Sequence, residues 1–318
     1  MKKITFIHLT LILSFFASCT SKNGEVNTAN DTSNGLKTIE LVAQDWPGQE
    51  AKRYAMPVHS GLDKLEFADS TAWNLADNDL VLGIVKGDSK IAVPLAYLEG
   101  FEVANLSLDG EDYLITWCGL VGSAQMFKSN IEADIAGFDF GQALINNNLL
   151  MVDRQTQSVW NQLSNEAIHG QLKGARLALL PTLQTTWNFW KDQHPETKVL
   201  INKDTTGAAF PSLLFTKPYY TSWQPDSGRF YMAKEHLIEN LGLGLKIEDS
   251  SIYFPLETLF KKRSPVKYEI SDQTIIVHFD KEGLTAWAKD STGMALPGTL
   301  AYDWAWKSFY PKGLVFEE

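Results

Sequence analysis

Two copies of one pattern run through this chain, and a duplicated unit restricts the fold to an architecture assembled from matching halves. Gly83-Ile84-Val85, followed by Ile91-Ala92-Val93-Pro94-Leu95-Ala96-Tyr97-Leu98, returns as Gly244-Leu245-Lys246, followed by Ile252-Tyr253-Phe254-Pro255-Leu256-Glu257-Thr258-Leu259. Past each copy, Thr116-Trp117-Cys118-Gly119-Leu120-Val121-Gly122-Ser123-Ala124 aligns with His278-Phe279-Asp280-Lys281-Glu282-Gly283-Leu284-Thr285-Ala286, which sets Cys118 opposite Asp280. A third segment, Trp190-Lys191-Asp192-Gln193-His194-Pro195, answers Trp306-Lys307-Ser308-Phe309-Tyr310-Pro311.

Local signals agree within each copy. Residues 80–85 and 90–93 are apolar runs around the turn Lys86-Gly87-Asp88-Ser89, which predicts a hairpin. Pro94 and Pro255 suit the first turn of a short helix, where a missing N–H breaks no bond, and the leucines behind them give that helix a buried side. Residues 103–108 and 113–117, joined by Asp109-Gly110, predict a second hairpin; residues 274–279 are the matching strand. The expected fold is α+β and β-rich: internally duplicated units of hairpin, short helix, hairpin and helix forming one compact globular body. The first repeat spans about 79–200, with an insertion over about 129–181, and the second spans about 241–316. Within the insertion residues 148–152 read as a strand. If Asp153 to Gln162 continues extended, Arg154, Thr156, Ser158, Trp160 and Gln162 share one face.

The start of the chain has its own logic. Lys2 and Lys3, an apolar run over 4–16 and then Phe16-Ala17-Ser18-Cys19 form a charged start, a hydrophobic middle and a small-residue processing site. This resembles a bacterial lipoprotein signal: residues 1–18 as signal peptide, Cys19 as the lipidated first residue, 19–37 as a flexible tether rich in Ser, Asn, Thr and Gly, and a globular domain over 38–318. An ordinary secretory signal with an incidental cysteine is the alternative. The apolar run is shorter than the roughly 20 residues a spanning helix needs. The expected location is the bacterial cell envelope, anchored to membrane lipid through Cys19 and facing the periplasm or exterior.

Composition narrows the partners. Of 318 residues 44% are hydrophobic and 12% aromatic, enough for a packed core. A formal net charge of −10 argues against nucleic acid, whose binding relies on dense basic surfaces. There are only 2 cysteines, so once Cys19 carries lipid Cys118 is the one remaining thiol and no intrachain disulfide forms. The histidines lack zinc-like spacing, no glycine-rich phosphate loop is present, and no metal or cofactor is expected. Asp77 and Asp79 read as turn and capping residues.

Cys118 is the candidate catalytic residue. A thiol attacks as thiolate, which needs nearby positive charge or N–H donors; Gly119 and Gly122 would let backbone amides turn inward, and Arg154 would add a fixed charge. The competing reading is a small buried side chain at a strand end. Asp153 and Arg154 either orient an anionic or polar ligand or pin the insertion to the core. Thr156, Ser158, Trp160 and Gln162 complete the candidate binding set, and of the tryptophans some would line a ligand site while most build core.

These segments together resemble the uncharacterised bacterial family called domain of unknown function 3179. The resemblance rests on Ile91-Ala92-Val93-Pro94-Leu95, on Trp117 through Ala124, on Asp153 through Leu163, and on Glu166-Ala167-Ile168-His169-Gly170-Gln171-Leu172-Lys173-Gly174. It implies a Cys-Pro-Leu-Cys-Gly-Ser loop and redox or nucleophilic sulfur chemistry, with no activity to carry over. Here Gly119 replaces the proline and Val121 the second cysteine, which excludes a two-thiol switch or clamp; Phe101 stands where the family often has histidine. The expectation is therefore an envelope lipoprotein that binds an unknown polar or anionic small-molecule or envelope ligand in a cleft near Cys118, with an enzyme using a lone Cys118 thiolate as the alternative.

Overall fold

The computed structural model describes residues 61–63, 65–72, 75–98, 101–129, 135, 137–201, 221–224, 229–232 and 240–317; the signal, Cys19 and the tether lie outside them. Five sheets of the described residues are arranged as a five-bladed β-propeller, with 53% of these residues in strands and 12% in helices. This corrects the expected α+β fold. The helices foreseen behind Pro94 and Pro255 exist, as Leu95–Leu98 and Leu256–Leu259, and longer ones follow at Trp187–Gln193 and Asp303–Phe309. Each is too short to cover the face of a sheet, so sheets are covered by sheets and the helices only close strand ends.

Blade 1 orders Leu183–Thr186, Leu80–Lys86, Ser89–Pro94 and Lys198–Ile201, with Glu66–Asp69 on its edge. Blade 2 comprises Val103–Leu108, Glu111–Cys118, Ser123–Lys128 and Ala178–Leu179. Blade 3 comprises Phe138–Ile145, Asn148–Asp153, Val159–Asn161 and Glu166–His169. Blade 4 orders Gly298–Tyr302, Leu241–Ile247, Ser250–Pro255 and Leu314–Val315, and blade 5 comprises Val266–Ile270, Gln273–Asp280, Thr285–Asp290 and Ala295–Leu296. A separate ribbon pairs Thr221–Gln224 with Arg229–Met232. In blade 2 the Asp109-Gly110 turn has both residues at positive φ, 54° and 77°, the two-residue geometry whose twist matches the strands it joins.

The repeat is resolved residue by residue. Blades 1 and 4 share one topology, down to a final strand added in parallel: Lys198 opposite Ile91 in one, Leu314 opposite Ile252 in the other. Blades 2 and 5 correspond likewise, with Cys118 paired to Ser123 as Asp280 is to Thr285. In both halves a helical tryptophan lies flat over a strand glycine. A Cβ on Gly83 would fall 2.1 Å from Trp190 Cε3, and one on Gly244 would fall 2.3 Å from Trp306 Cε3. These glycines answer to close approach, because the indole occupies the space a side chain would need.

Each half also grips the other through the same turn. The Thr185 hydroxyl and Thr186 N–H of blade 1 donate to the Gly283 carbonyl in the turn after Asp280. Reciprocally, Tyr302 N–H of blade 4 donates to the Val121 carbonyl in the turn after Cys118, 3.0 Å away.

Blade 3 occupies the insertion, between Lys128 and Ala178, and has no counterpart in the second half. It explains why residues 113–118 are buried without interruption. Tyr113, Ile115 and Trp117 point to the core shared with blade 1, while Leu114 and Cys118 point to the core shared with blades 3, 4 and 5. Substituting either covered glycine by alanine, Gly83→Ala or Gly244→Ala, should lower unfolding stability by about 1–3 kcal/mol through overpacking against the indole. Urea denaturation measures this; an unchanged midpoint for both would refute the glycine–tryptophan lock.

Candidate functional site

Cys118 ends the second strand of blade 2, as its sequence position suggested, but the inserted blade roofs it over. Its exposure is 1%, and Sγ lies 3.6 Å from the Asn147 carbonyl in the turn that joins the first two strands of blade 3. Asn146 and Asn147 both take positive φ there, and Asn146 also reaches the Ser308 carbonyl, so that turn is held from two sides. Burial pushes the thiol up to about 12, with the Glu102 charge adding to it. Backbone groups of Leu149, Val121 and Leu120 act the other way, as the expected donor nest would, and are outweighed. In this arrangement the sulfur keeps its proton at neutral pH.

The Asp153–Gln162 segment is folded differently from the extended ribbon expected. Residues 154–158 form a turn around the Asp153 carboxylate, which is fully buried. That carboxylate accepts from Thr156 N–H at 2.5 Å, Ser158 N–H at 3.1 Å, Trp160 Nε1 at 2.9 Å and the Thr156 hydroxyl. A carboxylate attracts local N–H donors more strongly than a strand partner could, so the segment wraps rather than runs straight. Gln157 at φ 59° completes the wrap. The Ser158 hydroxyl accepts from Leu172 N–H, tying in the return loop of the insertion. Trp160 is wholly enclosed, edge-on to Phe138, and offers no open face for stacking.

Arg154 pins rather than waits. Its guanidinium donates to Asp139 at 2.7 and 3.0 Å and to both oxygens of Asp63 at 3.0 and 3.1 Å, fastening residues 61–63 to blade 3. A cavity of ≈ 360 Å³ lies beside that pair, bordered by Asp63, Asn105 and Asp112. The Asn105 amide is already engaged with Asp63 and with the backbone of Phe138.

Gln162, also fully buried, does come close to Cys118. Its Nε2 donates to the Thr116 hydroxyl at 2.9 Å and to the Ser123 carbonyl at 3.0 Å, while Oε1 accepts from Asn148 Nδ2 at 2.7 Å. Arg154 does not. Cys118 sits by Asn147, before the strand Asn148–Asp153, whereas Arg154 follows its far end, roughly 17 Å along at ~3.4 Å per residue. The candidate set is thus brought together at one end only. Asp79 caps the Ala76 N–H at 2.8 Å, a turn role.

A site that sequence reading missed lies where blades 2, 3 and 4 meet. A cavity of ≈ 220 Å³ is bounded by Gln125 of blade 2, Leu163 and Asn165 in the turn between the last two strands of blade 3, and Thr299, Trp306 and Tyr310 of the blade 4 region, with Lys246 and Glu248 at its edge. Gln125 stands directly opposite Thr116 in the ladder, on the Cys118 face. Its Nε2 donates to the Thr299 hydroxyl at 2.7 Å, while Oε1 has no partner among the described residues, nor does Asn165 Oδ1. An unsatisfied buried amide atom costs about 1–3 kcal/mol. The Trp306 N–H is also unpartnered among the described residues. In the first copy Trp190 Nε1 donates to Thr197 at 2.9 Å, and the residue in Thr197's place is Gly313. The only sequence signal was that threonine-to-glycine difference at the end of the repeat.

Replacing Asp153 by alanine should destabilise the fold by at least about 3 kcal/mol, since each hydrogen bond to a charged group contributes about 1.5–3 kcal/mol. Chemical denaturation with intrinsic tryptophan fluorescence reads it. A loss below about 1 kcal/mol, the value of a single neutral hydrogen bond, would deny the carboxylate its organising role.

Among the described residues no three His, Cys, Asp or Glu are grouped to hold a metal, and no helix is long and apolar enough to cross a membrane. No curated protein and no solved structure matches the chain. The loop at Cys118, the wrapped segment from Asp153 to Gln162 and blades 1 to 3 all fall, with most of blades 4 and 5, inside residues 61–295, over which the chain matches a family model: it belongs to the family described as protein of unknown function (DUF3179).

Proposed function

We propose that this protein is a non-catalytic binding protein of the bacterial cell envelope, tethered to membrane lipid through Cys19, which takes a small polar ligand beside the Cys118 face of blade 2. One contrast carries the reading. The sulfur is sealed and holds its proton, while a cavity on the same face of the same blade is bordered by residues that carry polar atoms without partners among the described residues. The segment that the family resemblance made prominent supports it from another side, because Asp153, Thr156, Ser158, Trp160 and Gln162 spend their polar groups on one another and on the backbone. A catalytic thiolate would require the Asn146-Asn147 turn to swing away first.

The thiol supplies the test. With the full chain and labelling by iodoacetamide read at the Cys118 peptide, the folded protein should react slowly, at a rate that stays far below that of the unfolded chain from pH 6 to 9. Rapid stoichiometric labelling with an apparent pKa under the unperturbed value of about 8.5 would replace the binding reading with the enzyme reading. The pH dependence of stability has a definite sign. Between about 8.5 and the folded value near 12 the native thiol retains a proton the unfolded chain has released, so this residue's contribution is complete below that window and is lost as pH rises through it.

The anchor is tested separately. Cys19→Ser should move the protein from the membrane fraction to the soluble fraction and abolish incorporation of a labelled fatty acid. Retention of the label in that variant would remove Cys19 as the anchor.

A further inference from the structure

We propose that the cavity between blades 2, 3 and 4 is a binding site for a small neutral polyhydroxylated ligand of monosaccharide size, with Gln125 and Asn165 as its recognition residues. This rests on the binding reading above and specifies its ligand.

The hydrogen-bonding inventory selects the chemistry. Gln125 is 1% exposed, and the bond from its Nε2 to Thr299 leaves Oε1 as an acceptor with no donor among the described residues. Turning the amide over exchanges Oε1 for Nε2 and still leaves one polar atom unmatched. Asn165, on blade 3's side of the cavity, carries a second amide oxygen with no partner among the described residues. Thr299, which accepts from Gln125, retains a hydroxyl proton to donate, and Tyr310, which donates to the Leu163 carbonyl at 2.9 Å, retains a lone pair to accept. Residues that carry amide oxygens and hydroxyls border one space, and they are complemented by a ligand whose groups both give and take hydrogen bonds, which is the property of alcohol hydroxyls.

Charge and size point the same way. The charged groups bordering the cavity are Lys246 and Glu248, both exposed and of opposite sign, so the pair favours neither a net anion nor a net cation. A volume of ≈ 220 Å³ falls below the ~300–1,000 Å³ of pockets that take drug-sized molecules. Leu163, Leu179 and Pro297 give the cavity an apolar side for the C–H face of a sugar ring.

The experiment is isothermal titration of the full-length protein with glucose, galactose, mannose and N-acetylglucosamine, alongside glutamate and lysine as charged probes of similar size. At least one neutral sugar should bind saturably. Gln125→Leu should weaken it about tenfold or more, with a retained cooperative unfolding transition as the control for folding, because the variant removes an unpaired polar atom together with the bond to Thr299. Asn165→Gly, which suits the positive φ of 59° at that position, should weaken it comparably and serves if the first variant fails to fold. Absence of saturable binding by every sugar, or sugar binding untouched by both substitutions, overturns the proposal. Binding of glutamate or lysine alone, lost in Gln125→Leu, overturns the ligand class while leaving the binding function intact; rapid Cys118 alkylation would instead remove that function.

Discussion

The buried carboxamide of Gln162 is the tie on which this arrangement of blades depends. It bonds within blade 3 to Asn148 and across to Thr116 and Ser123 of blade 2, at zero exposure. Neighbouring amides extend the seam: Asn161 donates to Asn148, whose oxygen also accepts from Leu163 N–H. A half-satisfied amide in such a place is costly, so the fully bonded register is strongly preferred over one shifted by a residue. Fixing blade 3 against blade 2 in that register is what places the Asn146-Asn147 turn over Cys118 and leaves Gln125, one ladder step along, facing the neighbouring cavity.

Duplication supplies the frame, and departures from it supply the chemistry. The matched glycine–tryptophan contacts and the reciprocal turn docking treat the halves alike. Where the halves differ, the inserted blade or a single small residue is responsible. In the second half Asp280 caps its own turn through Gly283 N–H at 2.7 Å, while its counterpart Cys118 lies under a blade that the second half lacks. Gly313, standing where the first half has Thr197, leaves the indole N–H of Trp306 without a partner among the described residues, beside the three-blade cavity.

Much of the local structure was legible beforehand. The hairpin at 80–94, the short helices behind Pro94 and Pro255, the Asp109-Gly110 turn and the equivalence of Cys118 with Asp280 follow from turn chemistry and alternation, which act over a few residues. The extended reading of Asp153 to Gln162 failed because alternation was applied through a carboxylate that gathers its own donors. The expectation of an α+β fold built from helix-containing units failed because helices of four to seven residues can only close a strand end.

The sequence by itself determined the repeat, the hairpins over 80–93 and 103–117, and the presence of a cysteine at the end of one strand. Tertiary structure alone decided that this thiol is roofed, that Arg154 is spent between two carboxylates, and that Gln125 and Asn165 share a cavity. The division has a physical cause. Hairpins and caps are settled by neighbours a few residues away, whereas the protonation state of a sulfur and the satisfaction of an amide depend on desolvation by blades that the chain reaches only tens of residues later.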